Sequence, residues 1–335
     1  MDPASFLHAS RVVIVAGKGG VGKTTVSAAL ARMAAQEGLS TLVLEVEGKS
    51  GIAGLFGKPS LTYDESVLSP ASGATAEVRG RTLTPDDALL EYLEDHGLKR
   101  VSKRLVATGA MDVVATAAPG IKDILLLGKV KQLERAGEAG RRAPDGTEPA
   151  DLIVLDGPAA GHAITFLLSA RGLLDAVRVG PVNTQARDVL ELLTDPARCQ
   201  VVLVTLPEET PVNELVETAF HLEDRVGVNL GPVVVNGVYP VLHDLAEDPS
   251  AAAAEAGTSL RPGEAEALAA ASEFRRTRQS LQAEQLVRLA ERLPLAQLQL
   301  PYLFEADLGP AHVDVLADAL RTAVLATPEG TRGAA

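Results

Sequence analysis

Residues 17–24 read Gly17-Lys18-Gly19-Gly20-Val21-Gly22-Lys23-Thr24. Two glycines five positions apart, followed by Lys-Thr, form the frame of a phosphate-binding loop. The glycines let the backbone turn tightly, so that successive N–H groups point at phosphate oxygens, and the dipole of the following helix adds to the attraction. Lys23 supplies a point charge, and the Thr24 hydroxyl is placed for Mg²⁺. The flanks suit the frame. Arg11–Ala16 is an apolar run of the kind that makes a buried strand, and Thr25–Gln36 is rich in helix formers. A glycine-rich turn without nucleotide is the bland alternative. The favoured reading assigns Gly19, Gly20, Val21, Gly22, Lys23, Thr24 and Thr25 to ATP or ADP.

Further along, strands alternate with helices. Apolar runs at about 11–16, 41–45, 151–156, 201–206 and 232–236 predict strands, and Ala74–Arg79 alternates as an exposed edge strand would. Helices are expected at about 23–37, through much of 85–142, and from about 273 to 293. Asp86 and Asp87 open a first turn after Pro85, with Ala88, Leu89, Tyr92 and Leu93 at helical spacing. Residues 243–264, rich in Ala, Glu, Asp, Gly and Pro, read as a mobile acidic connection. The pattern predicts one doubly wound α/β domain over 1–335, with a mainly parallel sheet. Insertions at about 85–142 and 243–293 build a helical subdomain, and ligands sit at the carboxyl ends of the strands.

Composition narrows the class. Of 335 residues 46% are apolar and only 3% aromatic, so a large core must be built from aliphatic side chains and alanine. A net charge of -13 without a lysine- or arginine-rich block speaks against a nucleic-acid partner, which would need a basic face. The first residues lack the basic and apolar regions of a signal peptide. No run approaches the roughly 20 apolar residues of a membrane helix. A cytoplasmic protein without membrane insertion is expected. The single cysteine, Cys199, precedes Val201–Val204 and reads as a small hydrophobe at a strand entrance. One cysteine makes neither an internal disulfide nor a four-cysteine metal site.

Asp156 ends an apolar strand and is expected beside the bound Mg²⁺, with Thr24; its alternative is a helix cap. Asp156-Gly-Pro-Ala-Ala-Gly-His162 reads as a switch loop whose glycines bring backbone N–H groups to a γ-phosphate. His162 either relays that switch or caps a helix.

Lys18 is an addition that an ordinary phosphate loop does not need. Lys-Gly-Gly-Val-Gly-Lys-Thr-Thr resembles the deviant Walker A class, in which two subunits sandwich nucleotide and the early lysine reaches the partner's phosphates. That resemblance makes Lys18 a catalytic residue in trans, comparable to an arginine finger worth about 10³–10⁵ in rate in related GTPases. The alternative is a solvated loop lysine.

More widely, the chain resembles the family of arsenite-pump ATPases and tail-anchored-protein-targeting ATPases, and within it a bacterial anion-transporting-ATPase-like branch. Asp156–His162 is similar to the family's Asp-Thr-Ala-Pro-Thr-Gly-His switch, and Pro119-Gly-Ile-Lys-Asp123 to its Pro-Gly-Ile-Asp-Glu. Val233-Val-Val-Asn236 resembles the strand whose terminal Asn reads adenine, so the resemblance gives Asn236 that role. Pro301–Gly309 resembles the late loop over the base, which puts Pro301 in the cofactor set.

Departures from the family pattern carry equal weight. Its first switch, Asp-Pro-Ala-His, is replaced by Glu45-Val-Glu47-Gly-Lys49-Ser, so Glu47 stands in register with the water-orienting aspartate. The extra methylene shifts a carboxylate by about an ångström, an error that can cost about 10²-fold. Glu45 is the alternative, facing the metal instead. The family's arsenite site gathers cysteines that this chain lacks, and so does the zinc clamp of the targeting branch. With three methionines in all, a Met-rich client groove is absent, and the apolar stretches of 85–142 are either a client surface or packed core.

Several readings stay open. The chain is an ATP-hydrolysing switch that dimerises with itself around MgATP and signals to a protein or hydrophobic client. Alternatively it is a weakly or non-hydrolytic nucleotide-binding subunit paired with a paralogous ATPase. A hydrophobic-client holdase is the third reading, and a partition ATPase is an outsider.

Overall fold

A computed structural model describes residues 1–46, 51–95, 97, 100, 120–243, 245 and 247–328. Eight strands form one sheet: β1 Val12–Gly17, β2 Thr41–Val46, β3 Ser66–Ser69, β4 Val78–Leu83, β5 Leu152–Ala159, β6 Cys199–Thr205, β7 Val233–Val238 and β8 Gln297–Pro301. Their spatial order is β3-β4-β2-β5-β1-β6-β7-β8. Every pairing is parallel except β3 with β4. The expected α/β architecture with a mainly parallel sheet is therefore present.

Parallel strands need helical crossovers, which cover both faces and make the strands continuously apolar. Every residue of β1 and β6 is buried. Two large clusters result. One joins Ile14, Leu44, Leu155 and Leu203 to Leu127, Phe166 and Leu192. The other joins Val13, Val43, Val154 and Val234 to Leu30, Met33 and Leu316. Alternate residues of each strand thus feed opposite faces. Among the described residues the α-helices are α1 Pro3–Leu7, α2 Lys23–Gln36, α3 Gly51–Leu55, α4 Pro85–Asp95, α5 Ile121–Glu138, α6 Ala160–Ala176, α7 Pro181–Thr194, α8 Glu209–His221, α9 Pro249–Glu255, α10 Glu264–Arg292 and α11 Pro310–Ala326.

Three local expectations need correction. The edge strand read at Ala74–Arg79 lies instead at Val78–Leu83 and inside the sheet, with Ser66–Ser69 at the edge. Its charges misled the reading: Arg79 and Arg81 are buried, paired with Glu65 at 2.7 Å and Asp145 at 2.5 Å. The acidic connection contains α9, capped by the Asp248 carboxylate accepting from the Ser250 and Ala251 N–H groups. The final helix before β8 begins at Glu264, nine residues before the expected start. Most of 96–119, including Met111 and Pro119 of the first insertion, lies outside the described residues.

Candidate functional site

Central β1 delivers Gly17 to the carboxyl edge of the sheet, and α2 starts six residues later at Lys23. The glycines there are steric necessities. Gly17 has φ +156°, and a Cβ on it would lie 2.3 Å from the Val204 carbonyl oxygen. Gly22 has φ +90°, and a Cβ would lie 2.2 Å from Asn236 Nδ2. The left-handed region at Gly20 and Gly22 turns the chain back so that the loop's N–H groups meet the start of α2. Val21 is buried beneath this turn, and Lys23, 7% exposed, donates to the Lys18 carbonyl at 2.9 Å.

Thr24 Oγ1 donates to Asp156 Oδ2 at 2.8 Å. Ser27, one turn further along α2, reaches Asp156 Oδ1 at 3.4 Å. Asp156 is fully buried. A hydroxyl and a carboxylate held together suit a cation that keeps most of its shell as water and phosphate oxygens, as Mg²⁺ does. Among the described residues no group of three or more His, Cys, Asp and Glu side chains could cage a metal. Thr25 sits in the first turn of α2.

Beyond Asp156 the expected loop is a strand–helix junction. β5 runs to Ala159 and α6 begins at Ala160. Its register against β1 shifts between Val15 and Gly17, and a Cβ on Gly157 would meet the Val15 carbonyl oxygen at 2.6 Å. His162 lies exposed in the first turn of α6. Burial pushes the Asp123 carboxyl up, and the nearby His162 pulls it partly back. Asp123 lies in the first turn of α5, so the start of that helix and the junction after Asp156 stand together.

Glu45 pairs with Asp156 across β2 and β5. Its Oε1 accepts from the Gly51 N–H at 2.9 Å and the Ile52 N–H at 3.3 Å, capping α3. Gly51 in turn packs on Thr24: a Cβ there would lie 2.9 Å from Thr24 Cγ2. Glu47 and Lys49 lie outside the described residues.

Lys18 folds back within the chain, its Nζ 2.6 Å from Glu214 Oε1 on α8. Asn236, on β7, donates from Nδ2 to the Val21 carbonyl at 3.0 Å. Pro301 ends β8 beside it, paired with Val238. Next to Pro301, the rings of Tyr239, Tyr302 and Phe304 gather with centroids 4.8–5.3 Å apart, and the Arg275 guanidinium lies 4.5 Å from the Tyr239 ring centre.

Sequence reasoning missed Glu214, Ser27 and this ring cluster. Ser27 was legible as the hydroxyl one turn after Thr24, whereas nothing local pointed to Glu214.

A glycine loop between a central parallel strand and a helix, backed by a buried strand-end aspartate, defines a P-loop nucleotide-binding protein. The model of the anion-transporting ATPase family matches residues 10–179. The chain is 36% identical over 238 residues to ATPase BagA of Mycobacterium tuberculosis, covering 70% of this chain and 67% of that protein. It is 27% identical over 229 residues to the arsenical pump-driving ATPase of Escherichia coli, covering 67% and 34%. With ATPase GET3C of Arabidopsis thaliana it shares 27% identity over 166 residues, covering 46% and 40%. The chain belongs to the anion-transporting ATPase family. Among the described residues no helix is long and apolar enough to cross a membrane.

Proposed function

We propose that this chain binds MgATP at the Gly17–Thr25 loop and hydrolyses it as a switch that closes on a second subunit. The observation that carries the reading is the 2.8 Å hydrogen bond from Thr24 to buried Asp156 at the carboxyl edge of the sheet. Phosphate oxygens take the N–H groups of Gly19 to Thr25 and the Lys23 ammonium; Thr24 and Asp156 would hold Mg²⁺, which would neutralise phosphate charge when bound. Asn236 and Pro301 border the base, with Tyr302 and Phe304 supplying a flat apolar neighbour. Glu47 orients the attacking water.

Lys18 acts in trans, and its hold on Glu214 is the resting arrangement. Both side chains are more than a third exposed, so the pair is worth at most about 1 kcal/mol and is readily exchanged for a phosphate. Turnover per subunit should climb with protein concentration and fall about 10³-fold in Lys18→Ala. Full turnover by the variant, or turnover independent of concentration, would remove the trans role. Loss of ATP binding in Lys23→Ala tests the loop separately.

A second reading draws on Glu45. Because Glu45 is committed to Gly51 and Ile52, only Glu47 of the two acids remains for water. A weakly hydrolytic subunit beside a paralogous ATPase predicts saturable ATP binding with little turnover until that paralogue is added. The protein or hydrophobic client approaches through the helical insertion at about 85–142.

A further inference from the structure

Helices α4, α5 and α7, with the loop after α5, enclose a cavity of 510 Å³ that shares no residue with the phosphate loop. That volume falls in the range of about 300–1,000 Å³ occupied by small-molecule sites. In a chain of net charge -13, the described part of its wall carries Lys129, Lys131, Arg135, Arg141 and Arg142. Glu91 is the one carboxylate among the described lining residues, and Asp145, Asp188 and Glu148 pair with the cations from outside it. Basic groups lining a concave wall favour counter-ions there.

The two lysines are buried, and a buried ammonium needs partners. Lys129 has a full set: Glu91 at 2.5 Å, Gln132 at 2.8 Å and Asp145 at 2.9 Å. Lys131 donates to Asp188 at 2.9 Å and to Gln185 Oε1 at 3.1 Å. An ammonium has three donors, and these described contacts use two. Arg135, Arg141 and Arg142 stand exposed at the rim, Arg135 3.6 Å from Asp188 and Arg142 paired with Glu148; exposed pairs of this kind are weak and readily exchanged for a ligand.

Gly128 shows that the wall is shaped for a polar group. Glycine inside a helix costs about 1 kcal/mol relative to alanine. A Cβ on Gly128 would lie 1.7 Å from Gln185 Nε2, so a larger residue there would displace that amide from its place against the helix. Lys131 holds the amide's oxygen, which turns its NH₂ donor the other way. Leu125 and Ala136 make the apolar side of the same cavity.

We infer that this cavity binds a small organic oxyanion. Its carboxylate or phosphate end meets Lys131, the Gln185 amide and the rim arginines, and its carbon body packs on Leu125 and Ala136. The chain's one cysteine, Cys199, is buried at the start of β6 and is not among the described lining residues, so the cavity offers charge rather than thiols.

The test is calorimetric titration of the full chain with citrate and, separately, with pyrophosphate, in saturating MgADP so that the phosphate loop is filled. Saturable binding of either at one site per chain is expected, weakened at least about tenfold in Arg135→Glu/Arg141→Glu. Affinity for MgADP stays unchanged in that variant. Citrate alone binding marks a carboxylate ligand and pyrophosphate alone a phosphate one, and both support the site. If the double variant does not fold, Arg135→Ala and Arg141→Ala should each weaken binding. No saturable binding of either probe, or binding that these substitutions leave untouched, overturns the inference.

Discussion

Lys18 is held by a residue 196 positions further along the chain, its Nζ 2.6 Å from Glu214 Oε1. A lysine expected to serve a neighbouring subunit is thus engaged by a carboxylate of its own. If release from Glu214 precedes closure, removing that carboxylate favours the released state by the worth of a half-exposed pair, at most about 1 kcal/mol. Glu214→Gln should therefore raise ATP turnover at limiting protein concentration by up to about fivefold. Thermal stability should barely move. Turnover that falls in the variant would mean that Glu214 positions Lys18 for its task.

Asp156 makes a sharper prediction. The Thr24 and Ser27 hydroxyls both turn to its buried carboxylate. Asp156→Ala leaves them without that acceptor, at a cost of about 1–3 kcal/mol in unfolding free energy. It should also abolish the dependence of ATP affinity on Mg²⁺, measured by titration with and without chelator. Retained Mg²⁺ dependence would move the metal away from this pair.

How much of this could be read beforehand differs by element. The phosphate loop, Cys199 at the entrance of β6 and the central strands were legible because each is dictated locally, by glycine stereochemistry or by an unbroken apolar run. Strand Val78–Leu83 was displaced in the reading because Arg79 and Arg81 look like surface residues until Glu65 and Asp145 are seen beside them. The contacts of Lys18 with Glu214 and of Asn236 with Val21 join positions about 200 residues apart, and no local pattern encodes them. Glu45 was assigned to the metal as its alternative role, since sequence shows that an acid ends β2 but not that two N–H groups of α3 wait for it.

Gly22 and Asn236 should behave as a coupled pair. Gly22→Ala places a Cβ 2.2 Å from Asn236 Nδ2 at φ +90°, combining a clash with backbone strain of about 1–3 kcal/mol. Asn236→Ala removes the clash and the bond to Val21 but leaves the strain. In a double-mutant cycle followed by denaturant unfolding, the second substitution should recover part of the loss, with a coupling of at least about 0.5 kcal/mol. Strict additivity would mean that the loop moves away from β7.

Cys199 offers a probe of unfolding without engineering. Burial pushes its thiol up to about 12, so the reactive thiolate is scarce at neutral pH, and the sulfur is wholly enclosed. A disulfide reagent at pH 8 should label the native chain only as fast as it opens, and the denatured chain at once. Rapid labelling of the native chain would place the residue at an exposed position.

Asp145 ties acid stability to the wall of the basic cavity. Burial pushes its carboxyl up, but hydrogen bonds from Lys129 and Arg81 outweigh this and hold it well below its ordinary value of 3.8. A carboxyl depressed in the folded state contributes stability that is present above the unfolded value and is lost as pH falls towards the folded one. The wild-type chain should therefore lose stability progressively below about pH 4 through this group. Asp145→Asn takes a shared negative charge from Lys129 and Arg81, each with a side chain only 3% exposed. It leaves Lys129 with Glu91 and Arg81 without an acid partner among the described residues, and should cost about 3 kcal/mol at neutral pH. Because the variant lacks the carboxyl of Asp145 while Glu91 is common to both proteins, the gap between them should narrow as pH is lowered from 5 to 3. Unfolding curves across that interval decide the matter: a constant gap would show that the charge on Asp145 does not stabilise the fold.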